Sequence, residues 1–224
     1  MGVGEHNSDG ERDRTGGGGV VLMSSEGWIE RAKREFSTQT WALIPVGVAL
    51  SVVAAYVVNV VRVPFLYLDA LGVVLVAILA GPLAAAVTGV FVNVVEGFVV
   101  NPTFWAYTPL QVLFGLAAGY MARRGWFRRY WKIVVVGLVI AAISIVVGAP
   151  ITVLAFGGVT GTGSDAVTAF FRATGSNIWS AVVSQTLVVE PIDKIVTALL
   201  AAYIAKNVPD RYLPSTASKV LDRE

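Results

Sequence analysis

The chain has no cysteine, which excludes disulfides, thiolate metal sites and a cysteine nucleophile. Its single histidine, His6, lies in a polar N-terminal stretch. Histidine-ligated metal and histidine general-base chemistry are therefore not expected in the body of the protein. Charge is scarce: 14% of the 224 residues are Asp, Glu, Lys or Arg, against about 25% in a soluble domain. The net charge of +2 is too small to mark a nucleic-acid partner. No Gly-x-x-x-x-Gly-Lys-Ser/Thr loop occurs, so any ATP-driven step must come from another chain. The apolar run at 20–23 is too short for a signal-peptide core.

What fills the chain instead is apolar sequence, 55% of all residues, with the charges confined to blocks between long apolar runs. Residues 1–37 read as a cytoplasmic tail. Positions 1–19 are charged and glycine-rich and are expected to be disordered. Over 25–37, Trp28, Ile29, Ala32 and Phe36 share one helical face, opposite Glu30, Arg31, Lys33, Arg34 and Glu35. That pattern suits a helix lying on a membrane surface, or equally a solvated helical linker.

Residues 38–206 read as an all-α integral membrane domain, a bundle of six transmembrane helices, since a span needs roughly 20 apolar residues. The expected helices are 41–61, 69–81, 82–100, 107–122, 133–156 and 177–205. Gly81-Pro82 separates the second from the third. The second is short and should be shielded by its neighbours. Kinks are expected at Pro150 and Pro191. Residues 207–224 form a polar C-terminal tail. Lys and Arg concentrate in the N-terminal tail, at 123–132 and in the C-terminal tail. Six spans put all three on one side, so both termini should be cytoplasmic, in a multi-pass protein of the cell membrane.

Ionisable groups inside spans are costly and point to function or to a paired network. Glu190 and Lys194 are four apart, in the favourable order for an ion pair, and with Asp193 they are expected to form a structural charged stripe. Asp69, at the start of the second helix, is expected to be its N-cap. On the third helix Gly89, Asn93 and Glu96 fall on one narrow face, with Gly89 leaving room for a ligand. Asn101, Trp105 and Tyr107 continue that path into the next loop, and Gln111 lies one turn further on. Asn177 and Ser180 form an outer polar stripe on the last helix. Amides beside flat rings line small-molecule sites, so these eight residues are the candidate pocket. The competing reading of Trp105 and Tyr107 is an interfacial aromatic belt. The loop 157–176 either lids the pocket, with Asp165 and Arg172 as contacts, or simply connects. Gly47, Ser51 and Ala55, each four apart on the first helix, form a row where another helix can approach closely. That row serves packing within the bundle or contact with a partner.

Several short stretches, in their order along the chain, resemble the S components of energy-coupling factor (ECF) transporters. They are Leu68-Asp69-Ala70-Leu71-Gly72 through Gly81-Pro82-Leu83, then Gly89 and Asn93, then Glu190-Pro191-Ile192-Asp193-Lys194 before Val208-Pro209. The resemblance covers roughly residues 40–210. It implies a substrate-binding membrane subunit that captures a vitamin-like micronutrient at the outer face. It further implies a transmembrane coupling subunit and two cytoplasmic ATPases as partners, and assigns Gly47, Ser51 and Ala55 to the coupling contact. No catalytic residue, cofactor or metal is expected. The rival readings are a ligand-sensing membrane module, a self-sufficient secondary transporter and a membrane enzyme. The first would place an output domain after the last helix, and the second would show matching broken helices in both halves.

Overall fold

The structure, a computed structural model, describes residues 36–209 and Ala217. The expected disordered tail, nearly all of the expected surface helix at 25–37 and most of the C-terminal tail lie outside the described residues. The described chain is all-helical. α1 spans Thr38–Val61, α2 Leu71–Leu79, α3 Pro82–Val99 and α4 Thr108–Arg123. α5 (Tyr130–Ile143) runs through a π turn, Ser144–Gly148, into α6 (Ala149–Phe156). α7 is Asp165–Ala173 and α8 is Ile178–Asn207. Three stretches among the described residues are long and apolar enough to cross a membrane: α1, α3 and the continuous run Tyr130–Phe156.

The distribution of side chains is that of a membrane-embedded bundle. Large apolar residues face outward on α1 (Val46, Val53, Val57), on α3 (Phe98), on α5–α6 (Val146, Leu154) and on α8 (Leu187). Polar residues face inward instead: Ser51, Thr88, Asn93, Glu96, Gln111, Asp193, Lys194 and Thr197 are all buried. Water would favour the reverse arrangement. A hydrocarbon surrounding favours this one, because polar groups are costly to expose to lipid.

α2 is the hub. All nine of its residues are buried, and it packs against α1, α3, α4 and α8. Its apolar sequence carries no charge on any face, as a helix enclosed on all sides requires. Gly81 at φ 102° turns the chain between α2 and α3, a backbone state that a side chain would resist. Pro82 then starts α3, where its missing N–H costs nothing.

α1 meets α2 at a glycine crossing. A Cβ on Gly72 would overlap the carbonyl of Gly47, and Ser51 Oγ accepts from the Gly72 N–H at 2.9 Å. Ala55 is buried in the same row. The row Gly47, Ser51 and Ala55 is therefore buried inside this chain, and the expectation that it faces a partner is corrected: α2 already covers Gly47 and Ser51.

The break near Pro150 is also of a different kind from the expected kink. Pro150 sits in the first turn of α6, and the missing hydrogen bond is absorbed by the π turn just before it. Pro191 lies inside an unbroken α8. The connection 157–176 contains α7, an amphipathic helix absent from the expected set.

Candidate functional site: a cavity beside the segment 157–168

Two of the stretches singled out in the sequence meet in space. Asp193 Oδ1 accepts from the backbone N–H groups of Tyr67 and Leu68 at 2.8 and 3.0 Å. Leu68 has φ 56°, an uncommon state for a side-chain-bearing residue, and the two bonds from Asp193 hold it there. This bend places Asp69 against Lys194. Asp69 Oδ1 lies 3.0 Å from Lys194 Nζ, Asp193 Oδ2 lies 2.6 Å away and Glu190 Oε2 lies 3.6 Å away. The expected ion pair of Glu190, Asp193 and Lys194 is thus a four-residue network. The expected N-cap role of Asp69 is corrected: Ala70 occupies that position without a side-chain bond, and the carboxylate serves Lys194 and the Gln111 amide instead. The carboxylates converge on an ammonium, and no group of acids among the described residues is set to hold a metal ion.

The network forms the floor of a cavity that contains about 710 Å³ between its atoms, the mouth included. α4 supplies Gln111 and Phe114, the 3-10 turn Pro102–Tyr107 supplies Phe104 and Tyr107, and α8 supplies Gln185, Thr186, Glu190 and Lys194. The π turn contributes Ser144 and Gly148. A π turn rotates the residues after it relative to the helix before it, which brings both of its ends to the same wall.

Residues 157–168 form the roof. Thr160, Thr162, Ser164, Asp165 and Thr168 line the cavity. Asp165 does not reach into it as a free charge. Its carboxylate accepts from the N–H groups of Thr160 and Gly161 at 3.1 and 2.7 Å and from Thr160 Oγ1 at 3.0 Å, and so shapes the turn. Asn101 Nδ2 donates to the Thr160 carbonyl at 3.0 Å. The Tyr67 hydroxyl donates to Ser164 Oγ at 2.6 Å. Burial pushes the Tyr67 phenol well above its ordinary range, so it acts as a donor. Both readings of this segment place it at the cavity only through residues 160–168, which line it. Arg172 stays outside and bonds the Ser176 carbonyl.

The eight candidate pocket residues separate. Tyr107 and Gln111 line the cavity. The Tyr107 hydroxyl pairs with Thr152 at 2.7 Å, and its ring stacks on Phe156. Asn93 and Glu96 are fully buried but outside the lining. Asn93 Nδ2 donates to the Phe104 carbonyl at 2.8 Å, so it fastens the wall from behind. Gly89 leaves no room for a ligand, because it abuts the backbone of Gln111. Trp105 is half-exposed, donates to the Val94 carbonyl and fills the space above Gly97. Asn101 caps the 3-10 turn and ties the roof. Asn177 caps α8 by accepting from the Ser180 N–H. Both Asn177 and Ser180 lie away from the cavity.

Sequence reasoning missed Asp69, Thr103, Thr152 and the hydroxyls of 160–168 as lining residues. The run of Thr and Ser at 160–168 was the available signal, since hydroxyl-rich loops beside apolar spans offer both donors and acceptors. Comparison with protein-family models, with curated proteins and with solved structures returns no match.

Proposed function

We propose that this chain is the substrate-binding membrane subunit of an ATP-driven importer of the ECF kind. In this reading the bundle crosses the membrane six times and both termini are cytoplasmic. The lid and the turn Pro102–Tyr107 then lie at the outer face, and a vitamin-like small molecule enters beneath them. A transmembrane coupling subunit and two ATPases supply the energy. The observation that carries the reading is the cavity beneath the segment 157–168, whose aromatic walls carry hydroxyl, amide and charged groups. The ordered stretches that resemble S components supply its floor and its bend. The coupling contact of this reading must use a surface other than Gly47, Ser51 and Ala55, which are buried within the chain.

Two measurements on the tagged chain purified from its native membrane test this. Mass spectrometry of the intact protein should show a bound small molecule that is lost on denaturation. Gentle solubilisation should recover a coupling subunit and ATPases with it. A chain that takes up its ligand in vesicles with no ATPase present would replace the importer subunit by a secondary transporter.

A further inference from the structure

The cavity engages its cation but not all of its acceptors. The ammonium of Lys194 has three protons. Asp193 and Asp69 take two of them in hydrogen bonds, while Glu190 Oε2 stands at 3.6 Å, an ion-pair distance without a hydrogen bond. The rings of Tyr67 and Phe114 stand 5.6 and 5.1 Å from Nζ. Three carboxyl groups and two rings crowd this one ammonium, which leaves little of it to an anionic ligand.

Two acceptors on the cavity wall are open. Glu190 Oε2 and Gln111 Oε1 are buried and have no hydrogen-bond partner among the described residues. Gln111 is 1% exposed. Its Nε2 donates to Asp69 Oδ2 at 3.0 Å, which fixes the amide so that the other end is an acceptor. On α8, Gln185 is 5% exposed and leaves Nε2 without a partner.

We propose that the chamber selects a small organic cation carrying N–H donors: an amine, an amidine or a protonated nitrogen ring. The inference rests on the reading of the chain as a small-molecule-binding membrane subunit and names the substrate class. A positive N–H group beside Glu190 and Gln111 satisfies both open acceptors and favours the ionised form of the acids around it. Leaving buried acceptors unpaired is costly. Phe104 and Phe114 give such a ligand flat apolar contact, with the ring faces favourable to a cation. The Gln185 amide meets an acceptor elsewhere on the ligand. A carboxylate or phosphate would instead face Asp69 and Glu190.

Benzamidine, benzamide and benzoate test this, since they share a flat ring and differ in head-group charge. Each is titrated by calorimetry into the full chain in lipid nanodiscs. Benzamidine should bind at least ten-fold more tightly than benzamide, and benzoate should bind more weakly still. Glu190→Gln keeps the shape, removes the charge and should weaken benzamidine at least ten-fold. If that variant does not fold, the three-probe series on the unaltered chain decides by itself. Benzoate binding as tightly as benzamidine, and weakened by Glu190→Gln, overturns cation selection while leaving a ligand site. Benzamidine binding that Glu190→Gln does not alter also overturns it, as does failure of all three probes. In that last case a co-purifying small molecule still separates a wrong substrate class from a wrong function.

Discussion

Glu96 is a buried carboxyl group on α3 and Asp69 a partly buried one in the bend before α2, and their surroundings predict opposite mutational outcomes. Glu96 is fully buried, and neither oxygen has a hydrogen-bond partner among the described residues. Asp69 bonds Lys194 and Gln111. Losing a hydrogen-bond partner in a buried network typically costs about 1–3 kcal/mol, and Lys194 keeps Asp193 and Glu190 beside it. Asp69→Asn should therefore lower the melting temperature of the purified chain. Glu96→Gln should hold or raise it, since a neutral amide is easier to bury than an unpaired carboxylate. Glu96→Gln should also leave ligand affinity within about two-fold, because the side chain lies outside the cavity lining; a larger loss would return Glu96 to the pocket. Thermal unfolding and calorimetry on the same preparations read both effects.

At the level of the element, the contact between α1 and α2 depends on the absence of side chains at Gly47 and Gly72. Adding a methyl group to a tightly packed contact usually costs about 1–3 kcal/mol. Gly72→Ala should destabilise the chain by that amount, with ligand binding weakened as α2 shifts and takes Asp69 with it. Val53→Leu, on the outward face of α1, should change neither. Ala55→Leu discriminates the two roles of the small-residue row. Loss of folding together with ligand binding marks internal packing, whereas loss of partner assembly alone would restore the row to an interface. The roof is an element of a different sort. It is held by hydrogen bonds from Asn101, Thr103 and Tyr67 and by its own Asp165 turn. Few bonds to the walls give such a segment a low cost of local opening, which suits a lid.

For the whole molecule, the distribution of Lys and Arg sets the orientation expected of the bundle. Because the chain has no cysteine, single replacements report sidedness without background. Ser8→Cys and Arg129→Cys should resist an impermeant thiol reagent in intact cells, and Thr174→Cys should react. Thr174 is exposed and follows α7, whereas Ser164 in the same connection is buried beneath Tyr67. Labelling at position 129 would invert the bundle and put the lid on the cytoplasmic side, where capture from outside is impossible.

Length and polarity of the runs were enough, from sequence alone, to place α1, α3, α4 and α8, because a long apolar helix announces itself locally. The enclosed character of α2 was equally legible, since an uncharged apolar helix has no face to offer water. The charged residues at 190, 193 and 194 stood out against an apolar background for the same reason. Tertiary structure decided what those residues do. Asp69 joins them only because Asp193 fixes the bend at Tyr67–Leu68, a contact across more than a hundred positions that no local pattern encodes. It also decided that the polar face of α3 is packing and lines no pocket. Periodicity gathered Gly89, Asn93 and Glu96 on one face, but it cannot say whether a cavity or a neighbouring helix lies opposite. There α4 lies opposite Gly89, so the site moved to Gln111, on α4, and to α8, where the helices stand apart.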